Sequence, residues 1–567
     1  MRLLISVVVS VLVLAATAAT SDRVVETLTG AVRGRLVRDL NVTYYAYLGI
    51  PYAEAPTGQL RFKPPVPKKP WNGTLDATAY GPVCPQDDTF YKRSEMSEDC
   101  LSLNVYVPAR SALAPTPVLV YVHSGELTML SGRPFILGPQ FYMKYGVLLV
   151  TMNYRLGALG FLSVQTEDAG GNAALKDILL SLQWVKRHIA QFGGDPDNVT
   201  LGGESAGAVL VQYLTLSERS TNLFHKASMI SGSALGYRFF NRHPINTAFD
   251  LGKKMGYQTK DPNELVRKLQ DADVFDIVTA QGDKTNKRNG FRPFAPFTPV
   301  AETPSPHAVI TQHPLQIVKQ GIPQNVPVIA GIMMREGIKM LPFIRRNPIL
   351  ALNLNEDFEL CIPSDIEYPY GSRESKDLAN SIKQFYFNNE TISITTLLNF
   401  VNLVTDTQFA YSTDRWIEIY KNMPNSDRVY YYVFDFDGDL NWYKLFSLTP
   451  FPGASHADQT GYMFVTNTTR PLLPIAGAES KQTIQVVLQL WTNFIKYGNP
   501  SRLTSLTCNI REEWSDCGTQ RNYLALNNRP YMVPGPPLRR RLHFWRQVYA
   551  QYESYVARGG GLEAKTP

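Results

Sequence analysis

Three apolar runs between Pro115 and Leu216 leave few folds open to this chain. Val118–Val122, Val147–Met152 and Val199–Leu201 carry little polar alternation, which fits strands buried on both faces, as in a parallel sheet covered by helices. Between the last two, Leu175, Ile178, Leu179, Leu182, Val185 and Ile189 recur at helical spacing on one side. Lys186, Arg187 and His188 fall near the end of that helix, where cations suit its dipole, and Gly193-Gly194 stops it. His188 reads as solvated. Strand, helix, strand, helix is the pattern of a βαβ sheet. Val326–Met333 and Val429–Phe436 continue it as strands, and Ile484, Val487, Leu488, Trp491 and Ile495 form the inner face of a further helix. Length alone suggests about three or four domains. No repeat or long linker divides the 567 residues, so one large α/β domain over residues 20–567 is expected.

Residues 1–19 read as a secretory signal peptide. Arg2 is a short basic start, Leu3 to Leu14 is an apolar run, and Ala15 to Ala19 supplies small residues for cleavage. The run is too short to span a bilayer comfortably, and no other segment approaches about 18 uninterrupted apolar residues. A secreted chain without a membrane span is expected. Of the five cysteines, Cys84 and Cys100 flank one short loop and Cys508 and Cys517 another, and both pairs fit disulfides in an oxidising compartment. Cys361 is left over as a buried, inert thiol. Asn41, Asn72, Asn389 and Asn467 begin N-x-[ST] sequons and are expected on the surface as glycan sites. Asn198 begins another but leads straight into a buried-looking strand, so it is expected to stay unmodified.

The net charge of +7 falls to +6 once Arg2 leaves with the signal. Spread over so long a chain this is weak, and the densest basic run, Arg539-Arg540-Arg541, reads as a solvated face. No nucleic-acid partner is expected. No cysteine–histidine cluster has zinc spacing, and neither H-E-x-x-H nor a phosphate-binding G-x-x-x-x-G-K-[ST] occurs. Nothing asks for a metal or a cofactor. The oligomeric state is open.

Gly203-Glu204-Ser205-Ala206-Gly207 carries the chemistry. The pentapeptide is G-x-S-x-G, and it lies between the β-type run Asn198–Leu201 and an apolar helix, Ala208–Leu216. In such a strand–turn–helix a serine sits on a tight bend with its hydroxyl presented as a nucleophile, and the glycines give the bend room.

With this context the chain resembles the carboxylesterase/cholinesterase family, the type-B carboxylesterases. Asp195-Pro196-Asp197-Asn198-Val199-Thr200-Leu201 leading into the pentapeptide is similar to the family's serine signature. Ser97-Glu98-Asp99-Cys100-Leu101-Ser102-Leu103-Asn104-Val105-Tyr106 is similar to its second signature. Gly49-Ile50-Pro51-Tyr52-Ala53, Asn153-Tyr154-Arg155-Leu156-Gly157 and Trp491-Thr492-Asn493-Phe494 match further stretches. The resemblance implies the α/β-hydrolase fold, a large mostly parallel sheet with helices on both faces. It also implies hydrolysis of a small-molecule ester through an acyl-serine, with no cofactor. The family orders its triad Ser, Glu, His. Here Ser205 is matched by Glu336 in Arg335-Glu336-Gly337, directly after a strand, and by His456 in Gly453-Ala454-Ser455-His456-Ala457-Asp458. A serine hydroxyl needs an imidazole to take its proton and a carboxylate to brace that imidazole.

The sequence departs from the family at the oxyanion hole, where backbone N–H groups meet the charge that builds on the carbonyl oxygen. Ala206, after the serine, fits. The partner loop reads His123-Ser124-Gly125-Glu126-Leu127 where the family usually has His and three glycines. Gly125 fits; Ser124 and Glu126 do not. Glu126 is expected to act in one of two inhibitory ways. Forcing the loop from a glycine conformation loses a donor worth ~3–4 kcal/mol, and an ionised carboxylate ~5 Å from the oxyanion repels it by ~3 kcal/mol at an effective dielectric near 20. Each implies a loss of about a hundredfold, so Glu126→Gly is expected to raise turnover. Burial instead raises its pKa and keeps it neutral, and a sharper alternative has it position a deacylating water. Between Cys84 and Cys100 the chain has Phe90 and Tyr91 but none of the tryptophan with which cholinesterases bind a quaternary ammonium, and Glu204 stands where juvenile hormone esterases commonly have glutamine. The competing class is a non-catalytic adhesion or binding protein on the same scaffold, which the altered loop favours and the retained triad does not.

Overall fold

The computed structural model describes residues 22–109, 114–282, 296–502 and 512–560. The expected signal peptide, residues 1–19, lies outside them. Thirteen strands are described: β1 Arg23–Thr27, β2 Gly30–Asp39, β3 Val42–Pro51, β4 Thr74–Asp76, β5 Ser102–Pro108, β6 Thr116–Val122, β7 Leu148–Met152, β8 Gly194–Glu204, β9 Lys226–Ile230, β10 Val328–Met333, β11 Val429–Phe434, β12 Tyr523–Leu526 and β13 Tyr531–Val533. They run in the order β1-β2-β3-β5-β7-β6-β8-β9-β10-β11-β12-β13, with β4 beside β2. The stretch from β7 to β12 is parallel throughout. The outer strands β1, β2, β3 and β5 and the far edge β13 pair antiparallel.

Every residue of β7, β9, β10 and β11 is buried, which is why these runs show no alternation. Successive residues of β6 serve opposite layers. Val118, Val120 and Val122 pack with Ile178, Leu182 and Val185 of the helix Ala173–His188. Leu119 and Tyr121 pack with Val487, Trp491 and Phe494 of the helix Ala478–Tyr497. The helix after Ser205, Ala206–Thr215, is buried along its whole length. This is the α/β-hydrolase architecture, a large mostly parallel sheet with helices on both faces.

Two details differ from expectation. Gly193 ends the helical segment at φ +84, but Gly194 is already strand, paired with Thr116. His188 is buried, not solvated. It lies against Trp184, and burial pushes its pKa down to about 4. The sheet brings the carboxyl ends of β6, β8 and β10 and the loop beyond β11 to one edge, where ligands bind in open α/β sheets.

Candidate active site

Ser205 follows β8 at φ +55, ψ −123, a conformation costly for a side chain bearing a Cβ. Its N–H bonds Ile230 O on β9 at 2.8 Å, and its carbonyl receives Val209 N at 3.1 Å. The bend closes only because its neighbours are glycine. A Cβ on Gly203 would lie 2.5 Å from the Gly207 carbonyl carbon, and one on Gly207 would lie 2.2 Å from Val122 O.

Three side chains far apart in sequence meet here. His456 Nε2 lies 2.8 Å from Ser205 Oγ, and His456 Nδ1 lies 2.7 Å from Glu336 Oε2. All three residues are buried. Glu336 begins a tight turn, Glu336–Met340, and its other oxygen accepts Met333 N from the end of β10 at 2.8 Å. Arg335 N donates to Ala454 O at 3.0 Å, joining that turn to the histidine loop. Asp458 holds the loop from the other side. It accepts Ser455 N at 2.6 Å, Asn441 Nδ2 at 3.0 Å and Lys444 N at 3.1 Å, and burial pushes its pKa up to about 7. The Phe409 ring packs 4.5 Å from the imidazole. An imidazole held between a hydroxyl and a buried carboxylate can take the hydroxyl proton and keep the resulting charge.

Sequence reasoning gave Glu204 no role at the site. Its Oε1 lies 3.4 Å from His456 Nε2. Burial raises its pKa to about 7, opposed by His456 and by a hydrogen bond from Ser124, and reinforced by Glu336. The only signal was adjacency to the serine, which does not say where the side chain turns.

The loop expected to supply the oxyanion hole follows β6. His123 is buried, stacked on Tyr154 at 4.2 Å, and burial lowers its pKa to about 4. Gly125 is at φ +110, Glu126 at +55 and Leu127 at +64. A Cβ on Gly125 would lie 2.0 Å from Met129 O, so that position admits only glycine. Among the described residues the backbone N–H groups of Gly125, Glu126 and Ala206 have no hydrogen-bond partner. Unpaired donors of this kind are free for an incoming oxygen.

Glu126 corrects the expectations on three counts. It has not driven the loop from the left-handed region but sits in it, at a typical cost of ~1–2 kcal/mol. Its carboxylate is not a bare repulsive charge, because Arg238 NH2 lies 2.7 Å from Oε2 and the Lys339 ammonium bonds Oε1. Nor is it neutral: burial pushes its pKa up, but Arg238 and Lys339 outweigh that and hold it well below the usual carboxylate range.

Cys84 and Cys100 form a disulfide. Cys517 is buried, and its expected partner Cys508 lies outside the described residues; Cys361 is buried, and burial raises its thiol pKa. Asn41, Asn72, Asn389 and Asn467 are all exposed. Asn198 is half-buried, its Nδ2 donating to Lys496 O at 3.2 Å and its Oδ1 taken by Lys226. Among the described residues no group of three or more histidine, cysteine or acidic side chains is placed to hold a metal, and no helix is long and apolar enough to cross a membrane.

The model of the carboxylesterase family matches residues 21–545. Juvenile hormone esterase of Heliothis virescens is 31% identical over 496 residues, covering 83% of this chain and 85% of that protein. Esterase B1 of Culex pipiens is 32% identical over 489 residues, covering 84% and 88%. Among solved structures, juvenile hormone esterase from Manduca sexta, with OTFP covalently attached, superposes at a TM-score of 0.82 and 28% identity, over 93% of this chain and 100% of that one.

Proposed function

This chain belongs to the carboxylesterase family and is a carboxylic ester hydrolase, and from that premise we propose that it works through an acyl-serine intermediate on Ser205. His456 takes the Ser205 proton as Oγ attacks the ester carbonyl, and Glu336 braces the imidazole and its charge. The carbonyl oxygen becomes an oxyanion met by the N–H groups of Gly125, Glu126 and Ala206. Collapse breaks the C–O bond of the ester, and His456 returns the proton to the leaving alcohol. Water then attacks the acyl-serine with His456 again as base, releasing the acid and restoring the Ser205 hydroxyl.

The observation that carries this reading is the unbroken hydrogen-bonded line from Ser205 Oγ through both ring nitrogens to Glu336, at 2.8 and 2.7 Å. The site is proposed to lie in a single secreted domain, residues 20–567, released from the 1–19 signal. The exposure of Asn41, Asn72, Asn389 and Asn467 supports glycosylation there, and the engagement of Asn198 supports its staying bare. Hydrolysis of a short-chain nitrophenyl ester tests the mechanism. Ser205→Ala and His456→Ala are expected to lose roughly 10³-fold or more in kcat. A Ser205→Ala protein with undiminished turnover rules the mechanism out.

A further inference from the structure

Glu126, Arg238 and Lys339 come from three separate elements. Glu126 is on the loop after β6, Arg238 in the short helix Tyr237–Phe239 beyond β9, and Lys339 in the turn that begins with Glu336. The two cations are buried, with side chains 3% and 6% exposed, and they grip opposite oxygens of one carboxylate. Burial at this depth is costly for unpaired charge, so each cation depends on Glu126 and Glu126 depends on both.

The contacts continue to the catalytic histidine. Arg238 NH1 donates to Gln408 Oε1 at 2.9 Å, and the Lys339 ammonium stands 5.3 Å from the Phe409 ring centroid. Gln408 and Phe409 belong to a π-turn, Asp406–Ala410, and Phe409 packs on His456. Such bulges are frequent at functional sites. Tyr443 Oη donates to Lys339 O at 3.0 Å, fixing that turn from a further side. Meanwhile the loop runs through three consecutive left-handed residues, two of them with side chains, and keeps two N–H groups unpaired. A loop so disposed would relax unless something over-determines it.

We propose that Arg238 and Lys339 are positioning residues of the oxyanion loop: by pairing with ionised Glu126 they keep the loop left-handed, so that the Gly125 and Glu126 N–H groups stay aimed at the reacting carbonyl. The inference rests on the acyl-serine reading of Ser205. Glu126 is thus a tether in this chain and not the bare repulsive charge expected from the sequence, because each of its oxygens is paired with a cation.

The test uses the full-length protein with Arg238→Met and Lys339→Met, neutral replacements of similar reach, and the conservative Arg238→Lys and Lys339→Arg. On a nitrophenyl ester the neutral variants are expected to lose about 10- to 100-fold in kcat, approaching the effect of a lost oxyanion donor, with KM within about threefold. Lys339→Arg is expected to recover most of the loss. With one cation gone, burial of Glu126 is less opposed and its pKa rises, so activity in the neutral variants falls more than the wild type's as pH is lowered, an extra loss that Glu126→Gln in the same background abolishes. Hydrogen–deuterium exchange of residues 123–130 is expected to quicken in the neutral variants. Unchanged kcat, pH profile and loop exchange in variants that melt like the wild type overturn the proposal. So does wild-type activity with unchanged loop exchange in whichever neutral variant folds. A wild type without Ser205-dependent turnover contradicts the acyl-serine reading, and loop exchange then decides the tether independently.

Discussion

Replacing Glu204 by glutamine separates stability from chemistry at one position. In the folded chain Glu204 keeps its proton to about pH 7, against 4.5 for the free side chain. The folded state therefore binds more protons than the unfolded state between those values, and this group's contribution to stability is present below pH 4.5 and lost as pH rises through 7. A rise from 4.5 to about 7 corresponds to ~3 kcal/mol. Glu204→Gln cannot ionise, so it is expected to melt like the wild type near pH 5 and to be more stable by up to about 3 kcal/mol, a few degrees in Tm, near pH 8. Activity is expected to move the other way. An ionised carboxylate 3.4 Å from His456 Nε2 attracts the imidazolium formed in the reaction by at most ~5 kcal/mol at an effective dielectric near 20. Partial protonation near pH 7 and the polar replacement leave about 1–2 kcal/mol, a roughly tenfold loss of kcat. Thermal melts at pH 5 and 8 beside nitrophenyl ester kinetics read both effects. A Tm difference that does not grow with pH refutes the titration argument, and an unchanged kcat refutes the electrostatic one.

Two further outcomes concern the scaffold. Arg155 and Asp177 form a buried two-pronged pair at 2.9 and 2.6 Å, with Asp177 also accepting Arg155 N at 3.0 Å; Asp177→Ala strands a buried guanidinium and is expected to cost about 3–5 kcal/mol by urea unfolding, whereas a loss below about 1 kcal/mol contradicts the burial argument. The Cys84–Cys100 disulfide closes a loop with a sequence separation of 16, so Cys84→Ala with Cys100→Ala is expected to cost ~3 kcal/mol, measured by the same unfolding. Equal stability of the variant and the oxidised wild type is the contrary result.

The central strands were legible because burial on both faces erases alternation, and Val118–Val122 and Val326–Met333 matched β6 and β10 to within two residues. The start of β8, residues 194–197, was not. Its polar residues become strand in part through the pairing of Gly194 with Thr116. The antiparallel strands β1 to β3 also escaped notice, since they lie at an edge where exposed residues interrupt the apolar pattern. At the site, Ser205 was picked out by its pentapeptide and Glu336 and His456 by stretches that resemble the family's, and the fold brings the three side chains within hydrogen-bonding distance. Glu126 was misjudged because its cations lie 112 and 213 residues away, and charge compensation over such separations is a property of the fold. Glu204 was in plain view, but its approach to His456 depends on a loop 251 residues beyond its neighbour Ser205.

The central claim is that Ser205 carries the acyl group, and a fluorophosphonate adduct tests it most directly. Intact-mass and peptide mass spectrometry of the treated protein are expected to show one equivalent of probe, located on the peptide containing Ser205 and absent from Ser205→Ala. Probe on another residue, or full labelling of Ser205→Ala, contradicts the account.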